Sequence, residues 1–113
     1  MLLNNTVLPF VLWAIWPIAS AMENRKKRVL FRAWHRGFKE MDLILGNFAD
    51  RRLASLSADE LDQFEAILAE EDGPLYHWIT GKVEMPAAFD TPIMAEIRDF
   101  KPLSETLRDG RSG

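Results

Sequence analysis

Apolar residues recur at spacings of three and four between residues 29 and 100 of this chain, and no segment alternates apolar and polar residues with a period of two. The first spacing places side chains on one face of an α-helix, whereas a half-buried strand needs strict alternation. The pattern therefore predicts amphipathic helices and no β-sheet. At 113 residues the chain can bury one core, so we expect an all-α, single-domain bundle of about five helices.

Two helices are predicted on either side of Gly37, over residues 23–36 and residues 38–53. Glycine directly after a helical stretch commonly adopts the left-handed conformation that ends a helix, and we expect Gly37 to do so. Another glycine, Gly46, interrupts the apolar stripe of the second helix, where it costs about 1 kcal/mol relative to alanine. Gly46 therefore either permits close packing or marks an early helix end.

Three further helices are predicted from their start signals. Ser57 and Glu60 match a capping box, in which each side chain bonds the backbone amide of the other residue. Proline suits the first turn of a helix because its fixed φ is already helical. Pro74 and the pair Thr91-Pro92 therefore indicate where the fourth and fifth helices begin, and Gly81 indicates where the fourth helix ends.

Residues 1–21 form an apolar segment without a charged side chain, broken by Pro9 and Pro17. The apolar run is shorter than the roughly 20 residues of a membrane-spanning helix, and two prolines disfavour so short a helix. Translation from Met22, an interfacial anchor and a secretory signal are the alternatives for this segment, so its contact with a membrane stays open. The predicted organisation is an apolar extension over 1–21, a helical domain over 22–103 and a polar tail over 104–113.

The charges of the chain are distributed unevenly. Residues 22–52 carry nine Lys or Arg against four Asp or Glu, whereas residues 53–113 carry five against thirteen. The acidic half would repel phosphate, so nucleic acid is disfavoured as the main ligand. The chain has no cysteine and two histidines, and it lacks phosphate-loop, nucleophile-elbow and zinc-binding motifs. An enzyme would therefore have to rely on dispersed carboxylates and the two histidines, and we expect no metal site.

The junction of the first two predicted helices concentrates polar and aromatic residues. Arg36 before Gly37 and Glu40 after it suit the dipoles of the two helices, which favour a cation at one end and an anion at the other. The dipoles do not explain why Trp34, His35, Lys39 and Asp42 accompany them. A purely structural junction and a binding surface are therefore both compatible with this stretch.

Residues 36–42, RGFKEMD, and residues 72–81, DGPLYHWITG, stand in this order on either side of the capped helix over residues 57–68. The first block resembles the R-G-x-x-E-[LM]-D signature of the SdhE family of succinate dehydrogenase flavinylation factors. The second is similar to that family's D-x-D-L-[YF]-x-W-[LI]-x-G segment, although glycine and proline stand at 73 and 74. Two blocks that occur in the same order as in the family identify it more specifically than either block alone.

The resemblance implies an all-helical assembly factor and not an enzyme. Members of the family bind the flavoprotein subunit of succinate dehydrogenase, and in bacteria that of fumarate reductase, and promote covalent attachment of FAD to a histidine of that partner. FAD then belongs to the partner, and this chain holds no cofactor stably. The implied partner-binding residues are Arg36, Gly37 and Glu40, with Trp34, His35, Phe38 and Asp42 as neighbours.

The resemblance also implies a cytoplasmic location, because the partner enzyme faces the cytoplasm or the mitochondrial matrix. Two other functions stay open at this stage. One is an interaction module of another class, such as an antitoxin, which would be recovered together with a small toxin. The other is a nucleic-acid binder that uses the basic residues 25–36, whose retention on DNA would fall steeply with salt.

Overall fold

Over residues 2–100 the chain folds into five α-helices joined by short links, with short 3-10 turns over Leu53–Ser55 and Ala87–Phe89. The structure, a computed structural model, describes residues 2–100, with side chains from residue 17 onward, and contains no strand in that range. The prediction of an all-α bundle is confirmed, while the predicted polar tail over 104–113 lies outside the described residues. The helices are α1 (Leu2–Trp34), α2 (Lys39–Arg52), α3 (Ala58–Leu68), α4 (Asp72–Thr80) and α5 (residues 92–100).

Helix α1 is longer than the sequence pattern predicts. It covers Leu2–Trp34, so the prediction of a helix over residues 23–36 is wrong at both ends. Pro9 and Pro17 lie inside α1, where each removes one backbone hydrogen bond while the bonds of the other turns continue the helix. The predicted extension and the start of the predicted domain therefore share one helix. Within the described residues, no helix has both the length and the apolar character needed to cross a membrane.

The hydrophobic core lies where the apolar faces of the helices meet. The rings of Phe48 in α2 and Phe64 in α3 are buried with their centres 5.2 Å apart, a separation at which aromatic rings attract each other. Burial of such a side chain stabilises the fold by about 1.5–3 kcal/mol. The predicted apolar faces supply the buried residues Val29, Ala33, Met41, Ile44, Leu45, Phe48, Leu61, Phe64, Ile67, Leu68, Leu75, Ile79, Ile93, Met94 and Ile97.

The glycine inside α2 makes room for a tryptophan of α1. A Cβ atom placed on Gly46 would lie 2.2 Å from Cδ2 of Trp34, far inside van der Waals contact. The indole ring therefore packs against bare backbone, and its Nε1 donates a hydrogen bond to Oδ1 of Asp50 at 3.1 Å. Of the two interpretations of Gly46, close packing is confirmed, and α2 continues past it to Arg52.

Ion pairs connect helices around this core. In α1, Nε and Nη2 of Arg25 donate to the two carboxylate oxygens of Glu65 in α3, at 3.1 and 2.6 Å. The hydrogen bonds and charge of Arg25 hold the pKa of Glu65 below its ordinary value. Arg52 of α2 donates in the same way to Glu96 of α5, at 2.7 Å. Acids of α3 thus lie opposite Arg25, the first residue of the basic run in α1.

Local signals define the ends of the later helices as predicted. Ser57 Oγ accepts from the Glu60 amide at 3.2 Å, and Glu60 Oε1 accepts from the Ser57 amide at 2.8 Å, which confirms the capping box. Gly81 ends α4 in the left-handed conformation, with a φ of 79°. Thr91 Oγ1 accepts from the Met94 amide at 3.2 Å, which caps the start of α5.

Replacement of Gly46 by alanine is expected to destabilise the protein by about 1–3 kcal/mol, because the new methyl group must displace Trp34 and overpack the contact between α1 and α2. Gly73→Ala is the matched control, since a Cβ atom placed on Gly73 meets nothing within 4 Å. Urea unfolding followed by circular dichroism gives both free energies of unfolding. Equal stability of the two variants would contradict the packing role of Gly46.

The pair between Arg25 and Glu65 predicts that part of the stability is lost in acid. The folded-state pKa of Glu65 is lower than its ordinary value of 4.5, so the pair stabilises the fold above that pH and loses its effect as the pH falls through the folded pKa. Glu65→Gln is therefore expected to lower the free energy of unfolding at neutral pH and to matter progressively less in acid.

Urea midpoints of the wild-type protein and of Glu65→Gln, measured from neutral pH downward, test this expectation. Glu84→Gln, which changes an exposed carboxylate in the loop after α4, is the control for loss of one negative charge. A destabilisation by Glu65→Gln that is the same at every pH would show that the ionised pair is not its cause.

Candidate functional site

The candidate site is the corner between α1 and α2, which we define as residues 35–38. Its backbone is held by two carboxylates that both follow it in the sequence, one nearby and one distant. The Arg36 amide donates to Oδ1 of Asp42 in the first turn of α2, at 2.5 Å, and the Gly37 amide donates to Oδ2 of Asp72 at the start of α4. Hydrogen bonds to charged acceptors are stronger than those between neutral groups, so these contacts fix the path of the corner.

The side chain of Arg36 points into the protein. Its Nε donates to Oδ1 of Asp72 at 2.7 Å, while Nη1 and Nη2 donate to the carbonyl oxygens of Leu68 and Glu70 at 2.7 and 2.8 Å. Only 9% of this side chain is exposed. Carbonyl groups at the end of a helix lack hydrogen-bond donors within that helix. At the end of α3 the guanidinium group donates the missing hydrogen bonds. Arg36 therefore joins the corner, the end of α3 and the start of α4.

Gly37 is needed for space and not for its backbone conformation. The prediction that it adopts a left-handed conformation is wrong, because Gly81 is the glycine with a positive φ among the described residues. The carboxylate of Asp72 lies where a side chain would be: a Cβ atom on Gly37 would lie 2.6 Å from Oδ2 of Asp72. That carboxylate is already held by Arg36, so it cannot move aside without loss of the ion pair.

The other candidate contact residues divide into packed and exposed ones. Trp34 and Phe38 are half-buried: the first packs on Gly46, and the ring of the second meets Tyr76 edge to face, with centres 5.3 Å apart. His35 and Glu40 are exposed on either side of Gly37 along the chain. The partner-binding role of the whole set stays a prediction, and the structure adds an internal role for Trp34, Arg36, Phe38 and Asp42.

Asp72 is the site residue that the sequence patterns did not single out. Its carboxylate reaches the corner from a position 36 residues after Arg36. Helical periodicity relates residues three or four apart, so no local pattern pairs these two positions. The sequence did hold one indication of this contact: Arg36 is the first residue of the block over residues 36–42, and Asp72 is the first residue of the block over residues 72–81.

The chemistry of this arrangement is that of a fixed surface. Both carboxylates that face the corner accept hydrogen bonds from its backbone or from Arg36. Among the described residues, no group of three or more His, Asp or Glu side chains is placed to hold a metal ion. A small helical protein with one rigid, partly exposed corner has the features of a docking protein, whose binding surface is set before a partner arrives.

The particular kind of docking protein follows from comparison with known proteins. The pattern of the Sdh5 family, described as "Flavinator of succinate dehydrogenase", matches residues 27–101. The match includes both ends of the contact between Arg36 and Asp72. This chain belongs to that family, and the resemblance inferred from its two sequence blocks is confirmed.

Named relatives come from eukaryotes and from a bacterium. "Succinate dehydrogenase assembly factor 2, mitochondrial" of Dictyostelium discoideum is 32% identical over 75 residues, which are 66% of this chain and 53% of the relative. The protein of the same name from Candida glabrata is 29% identical over 92 residues, 78% of this chain and 60% of the relative. "FAD assembly factor SdhE" of Acetobacter pasteurianus is 36% identical over 70 residues, 62% of this chain and 64% of the relative. The chain thus spans 53% to 64% of the length of these relatives.

Asp72→Asn is expected to destabilise the protein by about 1–3 kcal/mol, because one of two N–H donors loses its acceptor. Oδ1 of Asp72 accepts from Arg36 and Oδ2 accepts from Gly37, whereas asparagine has one side-chain oxygen and an NH2 group in place of the other. Asp50→Asn is the matched control, since Oδ1 of Asp50 accepts from Trp34 and asparagine keeps one such oxygen. Thermal and urea midpoints that are equal for the two variants would contradict the clamping role of Asp72.

Proposed function

We propose that this chain is an assembly factor that docks on the flavoprotein subunit of succinate dehydrogenase and promotes covalent attachment of FAD to that subunit. In bacteria the related subunit of fumarate reductase is a second candidate partner. The observation that carries the proposal is the family match over residues 27–101, because it contains the whole corner and the residues that clamp it. The names of the relatives, an assembly factor and a FAD assembly factor, support the same function.

A rigid corner suits this function. Attachment of FAD to a protein requires that a side chain of the partner and the flavin be held close together in the right orientation. A docking protein favours that arrangement when it binds the competent conformation of the partner more tightly than the others. Because Asp42 and Asp72 already fix the corner, little conformational entropy is lost when it binds.

In this proposal the chain is not an enzyme, and FAD is the cargo of the partner. The partner supplies the histidine that receives the flavin, so neither histidine of this chain takes part in the bond. We propose that His35 and Gly37 of the corner, together with Glu40 in the first turn of α2, meet the partner, because they are exposed. The compartment follows from the partner, which acquires FAD in the cytoplasm or in the mitochondrial matrix.

The structure gives less support to a nucleic-acid binder that uses residues 25–36. Arg25 is bound to Glu65, and Nζ of Lys26 donates to the carbonyl oxygen of Ala54 at 3.0 Å. Arg36 is directed into the protein. Arg25 and Arg36 already neutralise acids of their own chain, so these two cations would release few counterions on binding phosphate and would add little to affinity for DNA or RNA.

Gly37→Arg is expected to slow flavin attachment at least about 10-fold, because a long side chain at the corner obstructs docking and displaces Asp72. The experiment mixes purified flavoprotein subunit lacking FAD with FAD and this chain, and measures flavin fluorescence that stays on the denatured subunit. Ala95→Arg is the matched control, since it adds the same side chain at an exposed alanine of α5. A rate for Gly37→Arg equal to that of the control would contradict the proposed docking surface.

Loss of folding must be separated from loss of docking, because Gly37→Arg also disturbs the contact between Arg36 and Asp72. Glu40→Lys serves this purpose: it reverses the charge of an exposed side chain in the first turn of α2. Urea unfolding is measured for every variant. We expect Glu40→Lys to remain folded at the assay temperature and to reduce flavin attachment, and normal attachment by this variant would count against the corner as the contact surface.

A further inference from the structure

Phe31, in the last turns of α1, is the most exposed phenylalanine in the part of the chain described with side chains, with 62% of the residue accessible to solvent. Its ring lies face to face with that of His35, with centres 3.8 Å apart and planes 15° from parallel. His35 belongs to the corner, so the stacked pair continues the candidate site along α1. An exposed large apolar side chain beside a binding surface indicates an interaction site more strongly than one that stands alone.

The stacked pair is held in place although it is exposed. Nδ1 of His35 lies 2.7 Å from the carbonyl oxygen of Phe31, which is a hydrogen bond when Nδ1 carries the proton. Stacking and this bond together restrict both side chains before any partner is bound. Rings that are ordered in advance lose little entropy at an interface, and this is a property of residues that contribute most to binding.

The surroundings of the pair are cationic. On a helix the neighbours of Phe31 lie three and four positions away, and on its N-terminal side these are Lys27 and Arg28, both exposed. Lys27 also pairs with Glu23 one helical turn earlier, with Nζ 3.4 Å from Oε1, and both of these side chains stay 69% exposed. Arg32, the next residue, is also exposed. Acidic side chains on a partner would find opposite charges around the aromatic pair, whereas basic ones would be repelled.

We infer that the aromatic pair, Phe31 and His35, is a docking anchor that enters an apolar recess bordered by carboxylates on the flavoprotein subunit. This inference rests on the proposed function. It adds Phe31, and with it the adjoining surface of α1, to the residues proposed to contact the partner. The cations around the pair favour carboxylates at the border of the recess. Because the pair adjoins the corner, we expect both to bind the same partner, the flavoprotein subunit. A fixed ring pair fits a shaped recess in a protein, whereas a lipid surface gains nothing from fixed geometry.

The test compares binding of the full chain to purified flavoprotein subunit lacking FAD, by calorimetry at low and high salt. Phe31→Ala is expected to weaken binding at least about 10-fold, and Phe31→Tyr, which keeps a ring able to stack, is expected to retain most of it. Ile18→Ala is the matched control: Ile18 is 73% exposed on the same helix, about 20 Å along its axis from Phe31. The control is expected to bind within about 2-fold of the wild-type chain.

The outcomes separate this inference from the function on which it rests. A wild-type chain that does not bind the subunit would overturn both. A wild-type chain that binds, together with Phe31→Ala that binds equally well and unfolds at the same urea concentration, would overturn the anchor alone. A last experiment measures binding of the same variants to vesicles of phosphatidylserine and phosphatidylcholine. If Phe31→Ala lost vesicle binding but bound the subunit normally, the pair would be a membrane contact and the inference would be overturned.

Discussion

The contact between the Arg36 guanidinium and the Asp72 carboxylate is the interaction on which the rest of the structure depends. The helices of this small bundle could pack their apolar faces in several ways, because burial alone does not prefer one register. The guanidinium group binds one carboxylate and two carbonyl oxygens in a fixed geometry. It therefore ties the end of α3 and the start of α4 to the corner.

Such an interaction contributes more to a unique structure than to stability. Removal of two charges from water carries a penalty that offsets most of their attraction, so a largely buried ion pair is weak support for stability as such. For the proposed docking function, a single fixed conformation matters more than a large free energy of unfolding. The core of aliphatic and aromatic side chains provides the stability, and the polar cluster behind the corner provides its shape.

The sequence predicted those features that depend on neighbours along the chain. Helical periodicity identified the buried faces, and the capping box at Ser57 and the stop at Gly81 were both confirmed. Prediction failed where distant residues decide the structure. Gly37 was assigned a conformational role because a helix end commonly needs one, whereas the actual constraint is a carboxylate of α4. The start of α1 was also missed, because the effect of proline on a helix depends on the turns around it.

The close approach of Asp72 to Gly37 has an evolutionary consequence. A side chain at position 37 requires a smaller residue at position 72, yet a smaller residue there leaves Arg36 without its carboxylate. Positions 36, 37 and 72 are therefore expected to show epistasis, because a change at one of them alters the effect of a change at the other two. Single substitutions lead from this arrangement to worse ones, so the three residues are expected to persist or change as one unit while the surrounding surface drifts.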